Sequence, residues 1–139
     1  MTNYLLDSNH ASPLVTLYLP LRKRILFEIH EGHTFAIAVP ILTETIFGFS
    51  LLSRATENLA EWSRLRDTIP CFIPDEADAY LAAELQVSLR RRGRQLGTVD
   101  ALIAATALHH DLHLLTTDKD FDAVPDLQRD NRLIARRVG

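Results

Sequence analysis

The sequence has a single cysteine, Cys71, which excludes an internal disulfide and is typical of proteins from reducing compartments. No apolar run is long enough to cross a bilayer, so we expect no membrane partner. The first residues do not form a basic stretch followed by an apolar one, so we expect no signal peptide. These absences together predict a cytoplasmic protein.

The sequence also lacks an excess of basic residues. Its net charge is -3, so the chain as a whole is not a basic nucleic-acid binder, and any such binding must come from a local patch or a bound metal. It has no glycine-rich phosphate loop, and its histidines have neither companion cysteines nor HExxH spacing, which argues against zinc. Hydrophobic residues make up 47% of the chain, enough for the core of one domain over residues 1–139.

Short apolar runs alternate with longer helical patterns along the chain. The apolar runs predict strands at residues 3–6, 35–39, 71–73, 113–116 and 132–136. The intervening segments predict helices over 21–31, 40–52 and 54–68, one after a cap at Asp75, and one after a cap at Thr98. This alternation predicts an α/β fold of three layers, in which helices flank a mostly parallel central sheet.

Four acidic residues stand in apolar surroundings. Asp7 and Asp118 directly follow buried runs, so we expect them at the carboxyl ends of parallel strands, where open α/β sheets bind ligands. Asp100 begins an alanine-rich helix, and Glu44 lies inside an apolar helix where Gly48 leaves room beside it. None has an obvious basic neighbour, so carboxylates that converge need a cation. Hard divalent cations such as Mg²⁺ or Mn²⁺ prefer such oxygen ligands.

Each of these acids also has a simpler explanation when it is taken alone. Asp100 suits the first turn of any helix, and Asp7 and Asp118 suit turns after strands. Glu44 is the hardest to explain in this way, because acids are uncommon in the middle of an apolar helix. The four together favour one metal site over four coincidences.

The segments YLLDSN, VDALIAATAL and LLTTDKDF, with a glutamate in the helix after the second strand, resemble the PIN domain, and within it the VapC-type toxins. The resemblance spans nearly the whole chain and implies a ribonuclease that depends on Mg²⁺ or Mn²⁺. The four acidic positions of the family correspond to Asp7, Glu44, Asp100 and Asp118. Asn9 and Thr116 correspond to its supporting polar positions, and Ser8 stands where the family often has threonine.

The reaction that the resemblance implies is hydrolysis of RNA phosphodiester bonds by metal-activated water, with 5′-phosphate and 3′-hydroxyl products. Asp7 and Asp100 would be the central ligands, flanked by Glu44 and Asp118. Members of the family are usually homodimers and are inhibited by an antitoxin, so the resemblance also implies a VapB-like partner. The apolar helices at 41–52 and 59–69 are candidates for the dimer surface.

Two further groups of charged residues lie close to these motifs. Asp120 is predicted to support the metal site, and Asp122 to cap a short turn. An EF-hand calcium loop is excluded, because Ala123 and Arg129 stand where it needs glycine and glutamate. The cluster RRRGR supplies Arg90, Arg91, Arg92 and Arg94. It is either an RNA phosphate-binding patch or a solvated helix end that the helix dipole favours.

Two other functions remain as alternatives. A phosphatase of the aspartyl-phosphate type also has an acid after its first strand, but it usually has D-x-D where this chain has Asp7-Ser8-Asn9. A catalytically silent domain that only binds RNA or a partner is the second alternative, and the four intact acids argue against it.

Overall fold

The computed structural model describes residues 1–133 and contains one parallel sheet with flanking helices. The strands are β1 (Asn3–Leu6), β2 (Thr34–Ala38), β3 (Cys71–Phe72), β4 (His113–Leu115) and β5 (Arg129–Asp130). The helices are α1 (Ser8–Ala11), α2 (Pro20–His30), α3 (Val39–Ser50), α4 (Ala55–Arg66), α5 (Glu76–Arg91) and α6 (Thr98–His109). Short 3₁₀ helices span Ser12–Val15 and Lys119–Ala123. The predicted α/β class is therefore confirmed.

The strand order is β3-β2-β1-β4-β5, and each neighbouring pair among the described strands is parallel. The central strand β1 pairs Leu5 with Ala36 on one side and with Leu114 on the other. After their polar first residues, these strands are apolar because helices cover them, and Leu5 and Leu114 are wholly buried. The chain moves from β1 to β2 on one side and later returns beside β1 with β4. The carboxyl ends of β1 and β4 are thus the switch point at which such sheets bind ligands.

Helix α6 packs in the interior, and its composition explains how. Ala101, Ala104 and Ala105 are wholly buried, so their small side chains let the helix lie close to its neighbours. Thr98 was predicted to be its cap, and this was wrong. Gly97 occupies the cap position, and the Thr98 hydroxyl instead accepts a hydrogen bond from Gln86 Nε2 of α5 at 3.2 Å. The tertiary contact with α5 replaces the local cap.

The predicted last strand is also misplaced. The strand that pairs with β4 is Arg129–Asp130, with Leu114 opposite Arg129, whereas Arg132 and Leu133 form a turn. The rest of the predicted strand, residues 134–136, lies outside the described residues. The shift has a physical reason, because the Arg132 side chain is needed for a buried ion pair with Glu28 of α2.

The second apolar stripe, at 59–69, was proposed as part of a dimer surface, and the structure corrects this. Trp62, Leu65 and Ile69 are almost fully buried in the core. On α3 and at its C-cap, in contrast, Phe47 and Leu51 are well exposed. Only the first of the two predicted helices therefore presents an apolar surface. Across residues 1–133, no helix combines the length and the apolar character needed to traverse a bilayer.

Candidate functional site

The predicted site residues Asp7, Thr116 and Asp118 all lie at the switch point of the sheet. Asp7 immediately follows β1, and its backbone N–H donates to the carbonyl of Leu115, the last residue of β4, at 3.0 Å. This bond continues the ladder of the two strands by one more residue. The first acid and the loop after β4 are therefore joined by the backbone itself.

The Asp7 carboxylate is held by three donors. The Thr116 hydroxyl donates to Oδ2 at 2.7 Å, and Asn9 Nδ2 donates to the same oxygen at 3.3 Å. The backbone N–H of Ser8 donates to Oδ1 at 2.8 Å. Asp7 is only 5% exposed, so these bonds stabilise its charge where water has little access. Asn9 and Thr116 thus orient the first acid.

The Thr116 hydroxyl also connects Asp7 to the next acid. It accepts a hydrogen bond from the backbone N–H of Asp118 at 3.0 Å. Asp118 Oδ1 then accepts from the backbone N–H of Asp120 at 2.8 Å, which caps the 3₁₀ helix Lys119–Ala123. The Asp118 side chain therefore caps the 3₁₀ helix, and this contact brings Asp120 beside Asp118.

Carboxylate oxygens of Asp100, Asp118 and Asp120 lie within 4.8 Å of one another. Asp120 was assigned only a supporting position from the sequence, yet the structure groups it directly with the other two. Glu44 reaches the same region from α3, where its Oε2 accepts from the Ser8 hydroxyl at 3.0 Å. The serine that replaces the family's usual threonine therefore contacts Glu44. We call Asp7, Glu44, Asp100, Asp118 and Asp120 the acidic pocket.

Burial and the negative charges of the acidic pocket change the pKa of Asp100. Burial raises the pKa of Asp100 from 3.8 to about 6, with further contributions from the negative charges of Asp118, Asp7, Glu44 and Asp120. All four neighbours therefore act on one carboxyl group. Among residues 1–133, no lysine or arginine forms an ion pair with any of the five acids. An uncompensated set of oxygen donors fits a hard divalent cation.

This pKa predicts how the metal-free protein responds to pH. Because the folded-state pKa of Asp100 lies above the unfolded value, the folded state binds the extra proton between about pH 4 and 6. The stabilisation from this proton is fully present below about pH 4 and is lost as the pH rises through 6. Thermal unfolding in a chelator should therefore show wild type losing stability relative to Asp100→Asn across this interval. A difference that does not change with pH would contradict the prediction.

The comparison with Asp100→Asn is needed because His10 changes the stability of the folded state with pH in the opposite direction. Burial, and then the charge of Arg132, lower the pKa of His10 to about 4, although Asp130 partly offsets this. Its contribution to stability is present above about pH 6.5 and is lost as the pH falls towards 4. Both proteins contain His10, so its effect cancels in the difference between them.

His10 is also a part of the site that the sequence did not indicate. It is wholly buried, its Nδ1 lies 2.7 Å from Asn9 Oδ1, and its Nε2 accepts from the backbone N–H of Arg132 at 3.1 Å. Since Nε2 is the acceptor, Nδ1 carries the proton and donates it to Asn9. His10 therefore holds Asn9 in the position from which it contacts Asp7. The contact that fixes its protonated nitrogen comes from Arg132, 122 residues later, so no local spacing could have revealed this role.

The predicted arginine cluster lies at the end of α5 and in the loop that follows. Arg90, Arg91, Arg92 and Arg94 are all exposed. Arg92 donates from Nη2 to the carbonyl of Ala123 at 3.1 Å, so it holds the end of the 3₁₀ helix that follows Asp118. Asp122 was predicted to be a solvated cap, but it forms an ion pair with Arg129 at 2.7 Å. Arg90, Arg91 and Arg94 form no ion pair within residues 1–133.

Comparison with known proteins identifies a matching family model and several solved structures with a similar fold. The family model described as the PIN domain matches residues 4–127. No curated protein matches the sequence. A chain of the solved VapBC2 structure from Rickettsia felis, bound to a DNA fragment from its promoter, has a TM-score of 0.81 and 22% identity. The match covers 94% of this chain and 98% of that one.

Two further solved structures have the same fold. A chain of DNA-bound VapBC from Salmonella typhimurium has a TM-score of 0.78 and 21% identity, over 94% of this chain and 98% of that one. Mycobacterium tuberculosis VapC20, described as a sarcin-ricin loop cleaving toxin, has a TM-score of 0.61 and 16% identity, over 88% and 95%. The family match begins inside β1 and ends two residues before β5, so it includes nearly all of the sheet. The chain belongs to the PIN domain family.

Proposed function

We propose that this chain, as a single PIN domain over residues 1–139, is a VapC-like toxin that hydrolyses RNA as a metal-dependent endoribonuclease in the cytoplasm. The proposal rests on one observation above all. Carboxylate oxygens of Asp100, Asp118 and Asp120 lie within 4.8 Å of one another, and the charges of Asp7 and Glu44 also act on Asp100. None of these five acids forms an ion pair with a lysine or arginine among the described residues. Mg²⁺ is the cation proposed for this pocket, with Mn²⁺ as a substitute.

The chemistry proposed for the pocket needs no protein nucleophile. Bound divalent cations supply hydroxide at neutral pH and stabilise the leaving oxygen of an in-line displacement. Asp7 and Asp100 are proposed as the central ligands, with Glu44 and Asp118 flanking them. Thr116 and Asn9 keep the Asp7 carboxylate at a defined orientation, which a site for in-line attack requires.

Asp120 and the arginines have proposed roles of their own. The grouping of its oxygen with those of Asp100 and Asp118 makes Asp120 a further candidate ligand, direct or through water. Arg90, Arg91 and Arg94 are proposed to attract RNA phosphates to the pocket, which would offset the negative charge of the acids. RNA as the substrate class is supported by the fold shared with VapC20, which is described as cleaving the sarcin-ricin loop.

An antitoxin is the proposed macromolecular partner. Several solved structures with this fold are VapBC toxin–antitoxin assemblies, which supports a VapB-like partner for this chain. Such a partner could inhibit the enzyme by placing a basic side chain among the acids in place of the metal. Glu44 and Phe47 stand three residues apart on α3, so an exposed apolar surface begins beside the acidic pocket.

We also propose that the chain forms a homodimer through the exposed apolar residues of α3 and its C-cap. Phe47 and Leu51 are the main members of this surface, and exposed apolar patches commonly mark interfaces. Light scattering of the purified chain should give twice the monomer mass of 15.7 kDa. A mass equal to that of one chain at micromolar concentration would contradict the dimer.

The experiment that tests the enzymatic function is RNA cleavage by the purified chain with Mg²⁺, with Mn²⁺ and with a chelator. We expect internal cuts only when a divalent cation is present, and products that carry 5′-phosphates. Cutting that persists in the chelator would exclude the proposed mechanism. Hydrolysis of small phosphate esters without RNA cleavage would favour the phosphatase, and RNA binding without any hydrolysis would favour the silent domain.

A further inference from the structure

A cavity of about 360 Å³ opens directly beside the acidic pocket, on the side of β5. Its lining includes Thr116, Thr117, Asp118, Arg129, Asp130 and Asn131. Its volume is at the lower end of the roughly 300–1,000 Å³ that small-ligand sites occupy, which leaves room for one nucleotide-sized group. Because it shares Asp118 with the acidic pocket, a group bound here lies next to any phosphodiester held by the acids.

Resting on the nuclease function proposed above, we propose that this cavity binds the base of one unpaired nucleotide adjacent to the bond that is cut. We further propose that it prefers a base with an exocyclic amino group over uracil. The cavity would then determine which sequences the enzyme cleaves, while the acidic pocket carries out the chemistry.

Arg129 supplies a flat surface on which a base can stack. Its Nε donates to Asp122 Oδ1 at 2.7 Å, and its Nη1 donates to the Leu127 carbonyl at 3.4 Å. The guanidinium plane is therefore held at two points, and its side chain remains 34% exposed. Unpaired RNA bases commonly stack on arginine guanidinium planes in this way.

Three polar side chains surround this surface and can contact the edge of a base. Asp130 Oδ1 accepts from the backbone N–H of Asn131 at 2.8 Å, and no group within residues 1–133 donates to its second oxygen. Asn131 Oδ1 accepts from the backbone N–H of Leu133 at 2.9 Å, and no group within residues 1–133 accepts from its amide N–H groups. The Thr117 hydroxyl can both donate and accept. The cavity thus offers acceptors and donors together.

The charge of the cavity distinguishes a base from a free phosphate. Within residues 1–133, three carboxylates line it, those of Asp118, Asp122 and Asp130, against two cations, Lys119 and Arg129. This balance disfavours a second phosphate and favours a neutral group. The free oxygen of Asp130 favours a base that presents an amino group, because a carboxylate accepts hydrogen bonds and cannot donate them. Uracil has one N–H group on its Watson–Crick edge, and the carbonyl oxygens on either side of it repel a carboxylate.

The first test measures sequence preference with RNA oligonucleotides randomised around the cut. Wild type should discriminate against uracil at one position next to the cut, and Asp130→Asn should reduce that discrimination roughly three- to tenfold because it replaces an acceptor with a donor. The substitution keeps the size of the side chain. The matched control is Asp126→Asn, an exposed aspartate outside this cavity, in a left-handed conformation that asparagine tolerates. An unchanged preference in Asp130→Asn would overturn the proposal.

The second test measures binding of a fluorescent single-stranded RNA in a chelator, where no cleavage can occur. Arg129→Ala should weaken binding roughly five- to hundredfold through lost stacking. The exposed Arg64→Ala on α4 is the matched control. Equal affinity of Arg129→Ala and wild type would overturn the proposal. If wild type cut no RNA under any condition, the nuclease function would fail, while selective loss of binding in Arg129→Ala would still support the cavity.

Discussion

Asp100→Asn is expected to lower metal-dependent RNA cleavage by roughly 10³-fold, because a metal site supplies several kcal/mol of transition-state stabilisation. Asp100 is the carboxyl group on which the other four acids act, so it stands at the electrostatic centre of the acidic pocket. The amide keeps the size of the side chain but removes the charge that would hold a cation. The measurement is kcat/KM on one RNA at saturating Mg²⁺.

Loss of activity alone would not separate a metal defect from a folding defect, so two controls accompany this variant. Asp111→Asn makes the same change just beyond the opposite end of α6, at φ 53°, where asparagine is tolerated. It should cleave RNA like wild type. Calorimetric titration with Mn²⁺ should show binding to wild type and to Asp111→Asn, and weakened binding to Asp100→Asn. Activity of Asp100→Asn within tenfold of wild type would refute its assignment as a ligand.

The largest expected effect on stability concerns the ion pair between Glu28 and Arg132. Arg132 is bound by both Glu28 oxygens, its side chain is only 4% exposed, and its guanidinium lies 4.6 Å from the centre of the Tyr4 ring. Glu28→Met leaves this buried cation without its carboxylate. We expect a loss of about 3 kcal/mol in the free energy of unfolding, since breaking one side of a buried pair strands a charge.

A double variant distinguishes a stranded charge from lost packing. In Glu28→Met/Arg132→Met both charges are absent, so most of the lost stability should return. Arg24→Met is the matched control, because Arg24 contacts the same Glu28 at 3.7 Å but is 43% exposed. It should cost less than about 1 kcal/mol. Denaturant unfolding measures all four proteins, and equal losses in Glu28→Met and in the double variant would exclude the charge explanation.

The pair also explains why the end of the sheet was predicted incorrectly. The segment RLIAR has the composition of a strand, but Arg132 leaves the sheet to reach Glu28, 104 residues earlier. The strand beside β4 is formed instead by Arg129 and Asp130, which are both exposed and polar. An edge strand of two residues carries no hydrophobic signal, so no local pattern could locate it.

The strands near the centre of the sheet were predictable for the opposite reason. After a polar first residue, β1, β2 and β4 each continue as an apolar run that is largely buried. Helix α5 was also predictable, because Asp75 and Asp78 form a reciprocal capping box at its start. Thr98 shows the limit of this reasoning. Threonine is also a common helix cap, but the Thr98 hydroxyl contacts α5 and does not cap its own helix.

For the acidic pocket, the sequence by itself determined that carboxylate side chains follow two parallel strands, and it predicted that these carboxylates bind a cation. Acids that follow buried parallel strands must lie at one edge of the sheet, because the strands run in the same direction, and Asp7 and Asp118 follow this rule. Their roles in metal binding and catalysis stay predictions. The tertiary structure alone decided that Asp120 joins Asp100 and Asp118, that Ser8 contacts Glu44, and that His10 supports Asn9. These contacts depend on side-chain directions and on chain segments that meet only after folding, and such information is absent from any local pattern of residues.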